Sequence, residues 1–329
     1  MNKNKIVEFL DKLKADNFSI IAPVATPESI VIRAVVDPSE ISWAGDLPKN
    51  NFKPWLLPTR EELMTFRRGQ VREIIENGGH QVLFGMNILD LEALGLYEQV
   101  FAKDKYYLKR RQNQYVVGYS NGIEDDYRKY RVFHADYEEN ILEHRVFDVF
   151  IERQKNGNLK VFSGSEKGQR LLDDYGIDDY ENIEFVGFIP ESGVSKRILD
   201  LQARVDGSFA HAIWEEIGAK CIACGRCTIA CPTCFCYDTL DLPEHDDIKR
   251  VRQGSSCFYN NFTEVAGGHD YLETVKKKIY YWYYHKFVRI PSEFSYSGCV
   301  SCMRCFRACP AEINIVKVLQ ELNKKNNEK

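Results

Sequence analysis

No cysteine occurs before residue 221 of this 329-residue chain, and all 11 lie beyond it. Other things are scarce or missing too. No apolar run approaches the roughly 20 residues that a bilayer-spanning helix needs. The opening Met1-Asn-Lys-Asn-Lys-Ile-Val-Glu-Phe-Leu-Asp-Lys carries acids inside its apolar periodicity, unlike a secretory leader. These two absences predict a cytoplasmic protein. The net charge of −4 gives no electrostatic footprint for nucleic acid. No G-x-G-x-x-G follows a strand pattern, no P-loop is present, and no C-x-x-C-H occurs. Gly164 and Gly168 in Ser163-Gly-Ser-Glu-Lys-Gly168 are too sparse to cradle a pyrophosphate. The chain is therefore expected to hold neither nicotinamide nor flavin, and no catalytic residue is assigned.

What is present is a pattern written twice. Cys221 to Pro232 reads Cys-Ile-Ala-Cys-Gly-Arg-Cys-Thr-Ile-Ala-Cys-Pro, and Cys299 to Pro310 repeats the same C-x₂-C-x₂-C-x₃-C-P spacing. Three cysteines at this interval wrap one [4Fe-4S] cube, while the fourth, before proline, ligates the other cube. The expected ligand sets are Cys221, Cys224, Cys227 and Cys309 for one cube, and Cys299, Cys302, Cys305 and Cys231 for the second. Structural zinc has no use for a third cysteine at the same interval or for the proline. Disulfides do not suit a chain in a reducing compartment. A sirohaem-type C-x₅-C with a distant C-x₃-C can be drawn from Cys221, Cys227, Cys305 and Cys309, but it leaves Cys224, Cys302 and both prolines unexplained.

Three cysteines remain. Cys234 and Cys236 follow the first run at once, and Cys257 sits in Ser255-Ser-Cys-Phe258. They allow a third iron–sulfur centre, with Asp238, Asp241, Glu264 or His269 as the non-cysteine ligand, or they are small apolar packing residues. His211, His245, His269 and His285 lie in or near the cysteine-rich part and read as hydrogen-bonding or packing residues.

The cysteine boundary predicts two domains and a tail: residues 1–205 mixed α/β, 206–315 an all-helical two-cluster ferredoxin-like module, and 316–329 polar. The class is α+β overall. In the first domain the pattern predicts an amphipathic helix burying Ile6, Phe9, Leu10 and Leu13, then strands at Ser19 to Ile21 and Ile30 to Val36. It further predicts a short helix at Glu61 to Arg68, and a strand pair, Val71 to Ile75 with Gln81 to Phe84, around Asn77-Gly-Gly79. An amphipathic helix at Ile88 to Val100 and a buried strand at Tyr115 to Tyr119 come next, without a clean βαβ repeat. The segment 121–139 reads as a solvated insertion. Val146 to Ile151 and Leu159 to Phe162 form a hairpin, then a helix near Lys167 to Tyr175 and a strand near Ile183 to Phe188. Two helices, Ser195 to Val205 and Phe209 to Ile217, lead into Cys221, the second capped by Ser208 and ended by Gly218. Between the cysteine runs, Leu272, Val275, Ile279, Trp282, Tyr283 and Phe287 fall at helical spacing and predict one long helix. Arg226, Arg304 and Arg307 beside the ligands are candidates for raising a cluster potential, with solvated arginines the plainer reading.

Taken together, Cys221 to Asp238, Gly254 to Asp270 and the Cys299 run resemble the 4Fe-4S electron-transfer subunit of anaerobic sulfite reductase. The pieces Leu56 to Leu63 and Phe84 to Leu94 are similar to the same family and to the beta subunit of cytoplasmic nickel-iron hydrogenases. The sulfite reductase resemblance implies a chain that relays electrons from a flavin-containing, NADH-oxidising partner to a sirohaem subunit that reduces sulfite to sulfide. The alternative is the same wire with hydrogenase or sulfhydrogenase neighbours. A third reading, clusters used only for structure or sensing, predicts redox-silent cubes.

Overall fold

The computed structural model describes residues 1–75, 79–130, 140–191, 193–245, 247–260 and 262–324. The described residues divide into two compact units. One draws on Met1–Phe52, Glu76–Arg131 and Ala135–Glu191, the other on Lys53–Ile75 and Ser192–Lys329. The second unit thus takes in 53–75 and 192–205, stretches expected in the first domain. In chain order the strands that build the two main sheets are β1 (Ser19–Ala25), β2 (Ile30–Ala34), β3 (Arg60–Arg67), β4 (Gln70–Glu73), β5 (Gln81–Met86) and β6 (Gln114–Ser120). They continue with β7 (Val149–Arg153), β8 (Leu159–Ser163), β9 (Glu181–Asn182), β10 (Tyr237–Glu244) and β11 (Asp247–Gly254).

The first unit is a seven-stranded sheet in the order β2-β1-β5-β6-β7-β8-β9. Its middle is parallel, β1 with β5, β5 with β6 and β6 with β7. β2 runs antiparallel to β1 and β8 to β7, while β9 joins β8 in parallel. Strands covered on both faces read as continuous apolar runs, and β1, with Ile20 to Val24 all buried, is one. The helix Lys3–Ala15 buries Ile6, Phe9, Leu10 and Leu13, the four residues its periodicity picks out. Ile88–Val100 was expected to be amphipathic, but Ile88 to Tyr97 are all buried, so it is an interior helix. It lies in the chain between the parallel neighbours β5 and β6, which makes a βαβ unit the sequence pattern did not reveal. β7 and β8 form the expected hairpin. Ile183 to Phe188, expected to be a strand, is irregular; the short strand β9 lies just before it, at Glu181–Asn182. Of the turn Asn77-Gly-Gly79 and the insertion 121–139, residues 77–78 and 131–139 lie outside the described residues; Ile123–Tyr130 is a helix.

The second unit is helical around the cysteine runs but not all-helical. β10, β11, β3 and β4 form a four-stranded antiparallel sheet. Glu61 to Arg68, expected to be a helix, is the strand β3, and Val71 to Ile75 pairs with it through β4 rather than with β5. The reason is tertiary pairing. Glu61 stands opposite Arg252 and Thr65 opposite Lys249 on β11, and such long-range partners override a local preference for helix. The helices Lys196–Val205, Ile213–Lys220 and Val275–Tyr284 build the apolar core with Ile315–Lys324. Ser208 does not cap the second of these; its carbonyl accepts from the Trp214 indole, 2.7 Å away. The helix runs past Gly218 to Lys220. The stretch expected as a polar tail is part of the core, because Val318, Leu319 and Leu322 of Ile315–Lys324 are buried. Residues 325–329 lie outside the described residues.

Candidate metal centre

Each cysteine run is a tight loop followed by one helical turn, Arg226–Ile229 in the first and Arg304–Arg307 in the second. The duplication extends to the backbone. Ala223 and Ser301, the same position in each run, have φ of +52° and +58°, and Gly225 and Met303 have +71° and +58°. Left-handed backbone at non-glycine residues costs about 1–2 kcal/mol each and persists where surroundings impose it. Gly225 is further constrained, since a Cβ there would meet the Tyr259 ring at 2.6 Å and Ser256 Oγ at 2.9 Å. These turns bring amides onto sulfur: the Ala223 N–H donates to Cys221 Sγ and the Ile313 N–H to Cys309 Sγ, both at 3.4 Å.

The eight motif thiols divide between two cavities. Cys221, Cys224, Cys227 and Cys309 line one, beside Trp282 and Tyr283. Cys231, Cys299, Cys302 and Cys305 line the other, beside Trp282 and Lys286. Cys305 lines the first as well. Each cavity therefore receives the first three cysteines of one run and the fourth of the other, with Cys305 shared between the two. Among the described residues, no three His, Cys, Asp or Glu are arranged around a single ion.

The chemistry of this donor set fits [4Fe-4S] cubes. Burial, with the neighbouring thiols Cys221 and Cys231 adding to it, pushes the Cys227 thiol up to about 12. Burial does the same to Cys299, against the Lys286 charge that pulls it down. Thiols packed this way do not ionise alone, and cluster iron supplies the charge that makes them thiolates. Trp282 Nε1, Tyr283 Oη and Ser301 Oγ are buried among the described residues with no hydrogen-bond partner. All three belong to residues lining the cavities, where cluster sulfide is the matching acceptor.

Cys234, Cys236 and Cys257 are gathered beside the first run. The Cys234 thiol hydrogen-bonds to Cys231, and the Cys257 thiol to Cys236, which it lowers to about 7. The carboxylates and the histidine considered as fourth ligand are engaged elsewhere or exposed. Asp241 pairs with Arg250 at 2.7 Å, Glu264 lies in a short exposed hairpin, and His269 packs edge-on against Tyr271. Asp238 pairs opposite Gln253 in the sheet. Burial lowers His285 to about 4, so it is neutral, and its ring stacks on Tyr281.

Of the three arginines the sequence pointed to, Arg304 is 1% exposed beside the second run, whereas Arg226 and Arg307 are exposed, Arg307 Nη2 donating to the Cys302 carbonyl at 3.1 Å. Two lysines were missed, the half-buried Lys53 and the buried Lys286. Lys53 Nζ donates to the carbonyls of Thr228 and Cys231, at 2.8 and 3.0 Å. Lys286 Nζ donates to Cys231 Sγ at 3.2 Å, to Thr233 Oγ1 at 2.9 Å and to the Gly298 carbonyl at 3.1 Å. Burial pulls Lys286 down, but Cys231, Cys234 and Cys299 outweigh it and hold the ammonium charged. Lys286 was findable, because it extends the buried series Ile279, Trp282, Tyr283 at i+7. Lys53, 168 residues before Cys221 in the chain numbering, carries no such signal.

A family model for a 4Fe-4S dicluster domain matches residues 220–313. Over 290 residues the chain is 31% identical to the sulfhydrogenase 2 subunit beta of Pyrococcus furiosus, covering 82% of each chain. This chain belongs to the sulfhydrogenase beta-subunit family. No solved structure matches it. As a sulfhydrogenase-beta-type chain it is an iron–sulfur electron-transfer subunit, and its dicluster domain accounts for two [4Fe-4S] clusters. The hydrogenase side of the sequence resemblance is the side this relative supports. Among the described residues no helix is long and apolar enough to cross a membrane.

Proposed function

We propose that this chain is the electron-transfer subunit of a hydrogenase or sulfhydrogenase complex, with Cys221, Cys224, Cys227 and Cys309 holding one cube and Cys299, Cys302, Cys305 and Cys231 the other. The observation that carries the reading is the crossed lining of the two cavities. When bound, the cubes supply one-electron carriers whose potential follows the surrounding hydrogen bonds, burial and charge. The chain's own residues do the rest. The thiolates fix the carriers, Ala223 and Ile313 amides donate to their sulfurs, and Ile279, Trp282 and Tyr283 exclude water. The partners are a flavin-containing subunit on one side and a nickel-iron catalytic subunit on the other. The second reading is the electron-transfer chain of an anaerobic sulfite reductase, facing a sirohaem subunit. It rests on the Gly254 to Asp270 resemblance, and the proteins that co-purify with the chain separate the two.

One observation favours a third iron–sulfur centre on Cys234, Cys236 and Cys257: the fold brings Cys257 back onto Cys236 as a sulfur–sulfur hydrogen bond. Such a centre adds roughly four irons to the roughly eight of two cubes.

Replacing Cys305 with Ser tests the wire. The expected outcome is loss of the second cube's signal and of electron flow through the complex, with the far-ultraviolet circular dichroism of the chain kept. Full-rate electron flow in that variant sinks the proposal.

A further inference from the structure

We infer that Lys286 sets the reduction potential of the cube held by Cys231, Cys299, Cys302 and Cys305, raising it through a buried positive charge and an N–H···S bond to Cys231. The inference rests on the ligand assignment above.

Lys286 is 3% exposed, and its neighbours Phe287 and Val288 are 4% and 5% exposed. Three consecutive buried residues are more than one face of a regular α-helix presents to a core. The backbone provides for them by widening. Val275–Tyr284 is followed by a five-residue π-helical turn, His285–Arg289, before Ile290–Phe294 resumes. Turns of this kind recur at functional sites. Here the buried part of the turn is a lysine with Phe287 and Val288, between the half-buried His285 and the exposed Arg289.

The opposite wall is shaped to receive it. A Cβ on Gly298 would lie 2.4 Å from the Lys286 carbonyl oxygen, so only glycine lets the Cys299 run approach this turn. The Gly298 carbonyl accepts from Lys286 Nζ at 3.1 Å and from Thr233 Oγ1 at 2.8 Å. Nζ also lies 5.4 Å from the centroid of the Trp282 ring. Cys231, Cys299, the ammonium and Trp282 all line one cavity. The groups in contact with the charge are thus a thiol, a hydroxyl, a carbonyl and a ring; Cys234, Cys299 and a second cation, Lys53, also lie near enough to act on it, and the cube's thiolates are its counter-charge.

Direction follows from electrostatics. One-electron reduction makes a cube and its thiolates one unit more negative. A buried cation stabilises that state more than the oxidised one, in surroundings where water screens little. Donors to ligand sulfur act the same way. Arg304, buried beside the same run, is a separate contributor that this substitution leaves in place.

The test is an EPR-monitored redox titration of the purified complex carrying Lys286→Met. Expected is at least a tenfold fall in the second cube's one-electron reduction equilibrium, a midpoint lower by about 59 mV or more. Iron content and the first cube's midpoint stay as they were, and Lys286→Arg restores most of the shift. An unmoved midpoint at full iron content overturns the tuning role and leaves the ligand assignment standing. If Lys286→Met loses the cube, Lys286→Gln is titrated against the same prediction of a lowered midpoint. Loss of the cube in both overturns tuning in favour of a structural role. Absence of a second cube from the unsubstituted complex overturns the ligand assignment and this inference with it.

Discussion

Gly298 and Lys286 show how much of this site is decided by single atoms. With 2.4 Å between a Cβ at position 298 and the Lys286 carbonyl, Gly298→Ala must shift either the π turn or the Cys299 run. Overpacking of this kind costs about 1–3 kcal/mol. The expected result is a matching loss of stability in denaturant unfolding, with iron lost from the second cube before the first. A variant with full iron and unchanged stability would mean that the two segments have room to spare. The cysteines themselves are legible in the sequence because ligand geometry fixes their spacing. The left-handed Ala223, Ser301 and Met303 are not, since these residue types have no preference for that backbone and adopt it only where the surrounding structure imposes it. Lys53 is not legible either, as its contact to the Cys231 carbonyl joins residues 178 apart.

At the scale of elements, the sheet in the cysteine-rich unit is the largest departure from expectation. Arg60-Glu-Glu-Leu-Met-Thr-Phe-Arg67 contains good helix formers, and nothing local marks it as a strand. Its pairing with β11 supplies the missing information. Glu61 and Arg252 are 7% and 8% exposed, with Arg252 Nη2 2.5 Å and Nε 3.1 Å from Glu61 Oε2. Removing one partner of a buried pair strands the other charge, at about 3–5 kcal/mol. Glu61→Ala should therefore destabilise the unit by that order in denaturant unfolding, and Glu61→Ala with Arg252→Ala by clearly less. If the double variant is as unstable as the sum of the singles, the pair is not coupled. By contrast, the helix Lys3–Ala15 and the β7–β8 hairpin were legible, because their apolar periods and the Asn156-Gly-Asn158 turn are local signals.

Over the whole molecule, the boundary drawn from cysteine content misplaces residues 53–75. Composition sees only where ligands stop, whereas the second unit recruits β3, β4 and Lys53 from before the first unit's chain is complete. What composition did convey is the division of labour: every thiol falls in one unit, and the family relationship places that unit in an electron-transfer protein. The central claim is two cubes with crossed ligands. Its most direct test is anaerobic iron and acid-labile sulfide analysis with low-temperature EPR on the purified complex, after subtracting the iron its partners carry. The account predicts about eight irons and eight sulfides per chain, or about twelve if Cys234, Cys236 and Cys257 hold a third centre, with two magnetically coupled reduced cubes. About four irons or fewer, or a single uncoupled cube, would contradict it.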